Sequence, residues 1–115
     1  MKEKPTNKER LEHIIKAIDR IFRFTENMNY NHFATDEMAH YAVIKNFEII
    51  GEAAYQLSKD FIEKHPYFEW RKITAFRHIL VHDYYKVNLE IVWKAIENKL
   101  MDLKIGIEDI LETDF

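Results

Sequence analysis

Between positions 77 and 85 the chain reads Arg-His-Ile-Leu-Val-His-Asp-Tyr-Tyr, placing a guanidinium, two imidazoles and two phenols within one short stretch. Each of these groups suits work on a phosphodiester. Arg77 would offer phosphate oxygens a planar fork of donors that stays charged at any working pH. His82 would move a proton near neutrality. Tyr84 would stack on a base or bond a phosphate. His78, Tyr85 and Lys86 add polar and cationic groups beside them. From Trp70 to Lys86 there are four cations and one anion, so this segment is +3 in a chain whose formal net charge is −3. A basic coat over the whole molecule is excluded, but a local basic patch is not.

Spacing limits how these groups can cooperate. Arg77 and His82 are five positions apart, and at ~100° per residue they would lie about 140° apart around a continuous helix. Arg77 and Tyr84, seven apart, would share a face. Arg77 and His82 therefore converge only if the helix ends or bends before His82, or if a second protomer completes the site about a two-fold axis. A purely structural use is also open: Arg77 could pair with Glu52 or Asp83, and His82 could serve a helix C-terminus. His78 and His82 stand one turn apart, a spacing that can hold a metal, but no acidic residue lies between them and no third ligand is evident, so no metal is expected. Glu48 and Glu52 are also one turn apart and lack an evident partner histidine. His13, His32, His40 and His65 are scattered and read as surface or satisfied polar residues. Trp70 and Trp93 read as core. The chain contains no glycine-rich phosphate loop and no Ser or Cys nucleophile constellation.

The elements that must position these groups read as helices. An all-β fold needs many tight turns and so more Gly and Pro than the two of each in these 115 residues, a scarcity that favours long helices with few connections. Thr6 and Glu9 form a capping box ahead of Leu11, Ile14, Ile15, Ile18 and Phe22 at helical spacing. The pattern fades over Asn27–Phe33, which reads as a loop. Thr35 is placed to cap a second helix to about Lys64, with a seam of Val43, Phe47, Ile50, Ala54, Leu57 and Phe61, stopped by Pro66. Gly51 inside it costs about 1 kcal/mol against Ala, which implies the close approach of another backbone. A third, shorter helix starts near Phe68, carries Ile73, Phe76 and Leu80 inward and frays around His82–Tyr85. Asn88 caps a fourth, whose seam of Leu89, Trp93, Ile96, Leu100, Leu103, Ile107 and Ile110 continues to the C-terminus. The two long seams are expected to pack as antiparallel neighbours. The expected fold is all-α, an antiparallel four- to five-helix bundle, in one domain over residues 1–115. Cysteine is absent, which excludes disulfides and thiolate metal sites. The polar N-terminus lacks an apolar signal region, and no apolar run approaches the ~20 residues that span a bilayer. The expected location is cytoplasmic, with no membrane partner.

The order of these segments resembles a known family. Leu11-Glu12-His13-Ile14, Ala42-Val43, Ile50-Gly51-Glu52-Ala53-Ala54, Pro66 through Trp70, and Arg77 through Tyr84 look like the HepT-like branch of the HEPN superfamily, over roughly Arg10 to Leu111. The most specific part is Arg, four residues, His, one residue, Tyr, matched by Arg77, His82 and Tyr84. The resemblance implies a homodimeric helical bundle that is the toxin of a HEPN–MNT toxin–antitoxin system. It implies a metal-independent endoribonuclease with no cofactor, with Arg77 and His82 catalytic at the dimer cleft. The implied partner is an MNT-type nucleotidyltransferase antitoxin that transfers AMP from ATP to Tyr84. His78 stands where many members carry a polar amide. The reaction expected is attack of a ribose 2′-hydroxyl on the adjacent phosphate, with His82 handling the proton, Arg77 stabilising phosphoryl charge, and His78, Tyr84, Tyr85 and Lys86 in auxiliary contact with RNA. The alternative is a non-catalytic nucleotide- or nucleic-acid-binding subunit that docks on a nucleotidyltransferase.

Overall fold

The structure, a computed structural model, describes residues 3–115; the first two residues of the polar N-terminus lie outside the described residues. The described chain is all-helical. It contains α1 (Asn7–Phe24), α2 (Tyr30–Thr35), α3 (Glu37–Tyr55), α4 (Lys59–Lys64), α5 (Trp70–His82), α6 (Leu89–Asn98) and α7 (Leu100–Asp114), with a 3₁₀ turn at Tyr84–Lys86. Five of these helices have ten or more residues, and α2 and α4 have six each. None is long and apolar enough to cross a membrane, among the described residues.

Caps written in the sequence start most of these helices. At α1 the capping box is complete: Glu9 N donates to Thr6 Oγ1 at 3.1 Å and Thr6 N to Glu9 Oε1 at 3.0 Å. Residues 27–33, expected as a loop, are only partly so. Asn27 takes a left-handed φ of 64°, which Asn tolerates better than most residues, and Asn29 then caps α2 by accepting from His32 N at 2.8 Å. Helix α2 escapes a periodicity search because Phe33 is its one buried side chain.

The cap of α3 is Asp36 rather than Thr35. Its carboxylate accepts from Ala39 N at 3.0 Å, whereas the Thr35 hydroxyl donates backwards to Asn31 O at 2.8 Å and closes α2. The second helix does not continue to Lys64 but breaks after Tyr55 and restarts at Lys59. Ser58 makes the restart by accepting from Phe61 N at 3.2 Å, and it is held by Asn7, whose Nδ2 donates to Ser58 Oγ at 3.0 Å. Asn7 Oδ1 in turn accepts from Ser58 N at 3.1 Å, so the first residue of α1 pins the break. The third helix starts at Trp70, not Phe68. Phe68 stacks on Trp70 instead, with ring centroids 4.7 Å apart, and meets the bare backbone of Gly106, where a Cβ would stand 2.7 Å from its ring. The fourth helix is divided at Lys99 into α6 and α7, with Asn88 capping α6 as expected.

One hydrophobic core runs from Leu11 on α1 through Val43 and Ile50 on α3, Leu80 on α5 and Val92 on α6 to Ile110 on α7. The two long seams are not each other's main partners. Helix α3 packs chiefly on α1 and α5, and α7 packs on α1 and α6. Helix α1 is the shared neighbour of both, so its apolar face serves two contacts. Between α3 and α5 on one side and α6 and α7 on the other lies a groove of about 550 Å³, lined by Phe47, Ile50, Phe76, Leu103 and others.

Candidate active site on α5

Gly51 decides how α5 sits. A Cβ built there would stand 2.1 Å from Cβ of Arg77 and 3.3 Å from its Cα, so α3 and α5 touch at this point as the cost of a mid-helix glycine implied. The notch receives the root of the Arg77 side chain. That side chain is 33 % exposed, and its Nη2 lies 3.2 Å from Oε2 of Glu52. Of the two structural partners weighed for Arg77, the fold selects Glu52. The pair is open to water, where such bridges contribute about 0–1 kcal/mol, so a phosphate can compete for the guanidinium.

Arg77 also lines a recess of about 260 Å³ together with Arg10 and His13 of α1 and Lys45, Glu48 and Glu52 of α3. No motif in the sequence marks Arg10 or Lys45, and along the chain Glu48 and Glu52 have no partner histidine. The fold sets His13 in the same recess as both carboxylates. Only the i, i+4 spacing of Lys45 with Ile49 and of Glu48 with Glu52 hinted that these residues share a face.

His82 is the last residue of α5 and is exposed. The helix runs on through it, so its direction from the axis stays about 140° from that of Arg77. Among the described residues, no hydrogen bond or ion pair joins the two. His82 is instead brought to His78, with ring centroids 4.3 Å apart. No group of three or more His, Asp or Glu side chains that could hold a metal ion occurs among the described residues. Asp83 ends the helix by donating its N–H to Ile79 O at 2.8 Å. The 3₁₀ turn then holds Tyr84 and Tyr85 outward, 77 % and 71 % exposed, with ring centroids 5.8 Å apart. Lys86 Nζ lies 5.6 Å from the centre of the Tyr85 ring. One chain thus holds two groupings: Arg77 with Glu52 at the α3 contact, and His78, His82, Tyr84, Tyr85 and Lys86 exposed at the end of α5.

The chain is also similar in sequence to known proteins. The family model described as "Ribonuclease HepT-like" matches residues 14–110. Over 95 residues the chain is 34 % identical to a Methanocaldococcus jannaschii protein named "Putative RNase", covering 83 % of this chain and 87 % of that one. It is 36 % identical over 101 residues to the "Probable ribonuclease HepT" of Thermococcus cleftensis, covering 88 % and 92 %. It is 32 % identical over 104 residues to a "Putative RNase" of Caldanaerobacter subterraneus subsp. tengcongensis, covering 90 % and 93 %. No solved structure matches it significantly. With an all-helical fold, a family match over most of its length and relatives of its own size, this chain belongs to the HepT-like ribonuclease family of the HEPN superfamily.

Proposed function

We propose that the chain is a metal-independent endoribonuclease, the toxin of a HEPN–MNT pair, active in the cytosol as a homodimer of one helical domain. Arg77 and His82 point apart on one α5, so the active cleft is composite: the guanidinium of one protomer faces the imidazole of the other across a two-fold axis. The observation that carries this reading is that a single helix end leaves Arg77 partly accessible and His82, Tyr84 and Tyr85 exposed. In the cleft the 2′-oxygen attacks phosphorus in line, and His82 takes or returns the proton. The product carries a 2′,3′-cyclic phosphate, the leaving fragment a 5′-hydroxyl. Arg77 exchanges the Glu52 carboxylate for the phosphoryl oxygens and stabilises the charge that grows on them. Because the attacking group is the 2′-hydroxyl, DNA is not cut.

Tyr84 is the proposed acceptor of AMP from the nucleotidyltransferase antitoxin. AMP there adds bulk and negative charge beside the cleft and repels RNA. His78, Tyr84, Tyr85 and Lys86 contact the RNA. The test is cleavage of a defined RNA by purified protein. Wild type cuts with EDTA present, and Arg77→Ala and His82→Ala do not. Full activity in His82→Ala rejects the assignment, and loss of wild-type activity in EDTA points to a metal held by His78 and His82.

A second reading is favoured by the Arg77–Glu52 pair, which occupies the guanidinium without substrate. On that reading the same surface binds nucleotide or nucleic acid for a nucleotidyltransferase and cuts nothing. Growth arrest on expression, relieved by Arg77→Ala, separates the two in favour of the nuclease.

A further inference from the structure

The connection between α4 and α5 takes no part in the nuclease reading, yet it carries a chain of hydrogen bonds with the form of an activated nucleophile. The Tyr67 hydroxyl lies 3.1 Å from Nδ1 of His65, and Nε2 of His65 lies 2.9 Å from Oδ2 of Asp114. His65 is only 6 % exposed. Its ring packs on Phe61, and its backbone carbonyl accepts from Trp70 Nε1 at 3.0 Å. Asp114 also meets Lys64 Nζ at 3.4 Å. A carboxylate only accepts, so it takes the Nε2 proton and leaves the Nδ1 lone pair directed at the phenol. Tyr67 itself is 72 % exposed and open to an incoming reagent. Among the described residues, no hydrogen bond joins the exposed Tyr55, Tyr84 or Tyr85 to a histidine.

A separate observation indicates the reagent. Tyr67 lines the groove of about 550 Å³, a size common for small-ligand sites. Phe47, Phe68 and Phe76 give that groove aromatic walls suited to a planar base. Lys72 and Lys99 also line it, bridged by Glu69 at 2.8 and 3.6 Å, and their exposed ammonium groups suit phosphates.

We propose that Tyr67 is a base-assisted nucleophile and a covalent modification site for an electrophile carried by a nucleoside triphosphate bound in this groove. The phenolic oxygen bonds to the α-phosphorus, and its proton passes to Nδ1 of His65. The bond from that phosphorus to the bridging oxygen breaks, and pyrophosphate leaves with the electron pair. Asp114 positions His65 and does not touch the reagent. The proposal does not rest on Arg77 or His82.

The experiment uses the whole chain and an adenosine probe that bears an aryl sulfonyl fluoride in place of its phosphates. Attack forms an S–O bond and releases fluoride, and peptide mass spectrometry reads the rate at each tyrosine. General-base help sets the expected advantage of Tyr67 over Tyr55 and Tyr84 in the same molecule at about 100-fold. Excess ATP protects Tyr67 and leaves Tyr55 unprotected. Asp114→Asn and His65→Gln remove the advantage while Tyr55 and Tyr84 keep their rates, which a merely structural role for either residue would not produce. Equal rates at the three tyrosines in the wild type, labelling confined to Lys72 or Lys99, or absence of protection by ATP would each overturn the proposal. The wild-type ratio and the ATP protection need no variant, so a variant that fails to fold does not blunt the test.

Discussion

A methyl group at position 51 has nowhere to go, because its carbon would stand 2.1 Å from Cβ of Arg77. Gly51→Ala gains about 1 kcal/mol of helix propensity but overpacks the contact at a cost of about 1–3 kcal/mol, so a net loss of roughly 1 kcal/mol in urea unfolding is expected. The larger effect falls on Arg77, whose side chain must shift at its root. RNA cleavage by Gly51→Ala is therefore expected to fall by more than its loss of folded protein explains. Arg77→Lys keeps the charge but loses the planar fork, and the rate should drop about 100-fold, the usual loss when a transition-state donor is removed. Single-turnover cleavage at saturating protein measures both. A wild-type rate in Arg77→Lys would mean that charge alone, not bidentate geometry, serves the phosphate.

At the scale of elements, the fold depends on where helices stop. Ser58 restarts the chain as α4 and holds Asn7 at the head of α1, so Ser58→Ala loses a cap and a long-range clasp together. A loss of at least about 1 kcal/mol in chemical denaturation is expected, against a similar figure for Thr6→Ala, which loses only its own capping box. The end of α7 is fastened by Asp114. Burial pushes its carboxyl up, but hydrogen bonds from Thr113, Lys64 and His65 and the charge of Lys64 outweigh this and hold it below the usual carboxylate range. A carboxyl whose folded value is lowered contributes stability that is present above its ordinary value of about 3.9 and is lost as pH falls through the lowered one. Thermal melts from neutral pH to below the ordinary carboxylate range should show that acid-side loss in wild type and a flatter acid limb in Asp114→Asn. An unchanged limb would place the fastening elsewhere.

The whole molecule sets a question of symmetry, because one α5 sends Arg77 and His82 in directions about 140° apart. A cleft shared by two chains makes a sharp prediction. On the proposed cleft, Arg77→Ala and His82→Ala are each expected to be inactive, while subunit exchange between them should form dimers in which one cleft keeps both groups. An equal mixture should recover about a quarter of wild-type cleavage, since half the dimers are mixed and each has one intact cleft of two. If each cleft were built within one chain, the mixture would stay dead. Sedimentation of the mixture confirms that dimers are present when the rate is read.

The sequence alone determined what depends on residues a few positions apart. The capping box of α1, the Asn88 cap of α6, seams at helical spacing and the end of α5 near His82 are all set by groups within about one turn, because backbone hydrogen bonds in a helix join residue i to i−4. The exposed run of His78, His82, Tyr84 and Tyr85 was legible for the same reason, as neighbours at one helix end, whereas the separation of Arg77 toward Glu52 was not. The glycine at 51 announced a close neighbour but could not name it, since the cost of glycine is local and its partner is not. Only the tertiary structure decided that Arg77 fills that notch, that Arg10, His13 and Lys45 share its recess, and that α3 breaks where Asn7 can reach Ser58. Only it joined His65 to Asp114, 49 positions on, where neither periodicity nor a motif leads. Such contacts are fixed by how apolar faces bury one another. Packing brings together side chains whose distance along the chain carries no periodic signal.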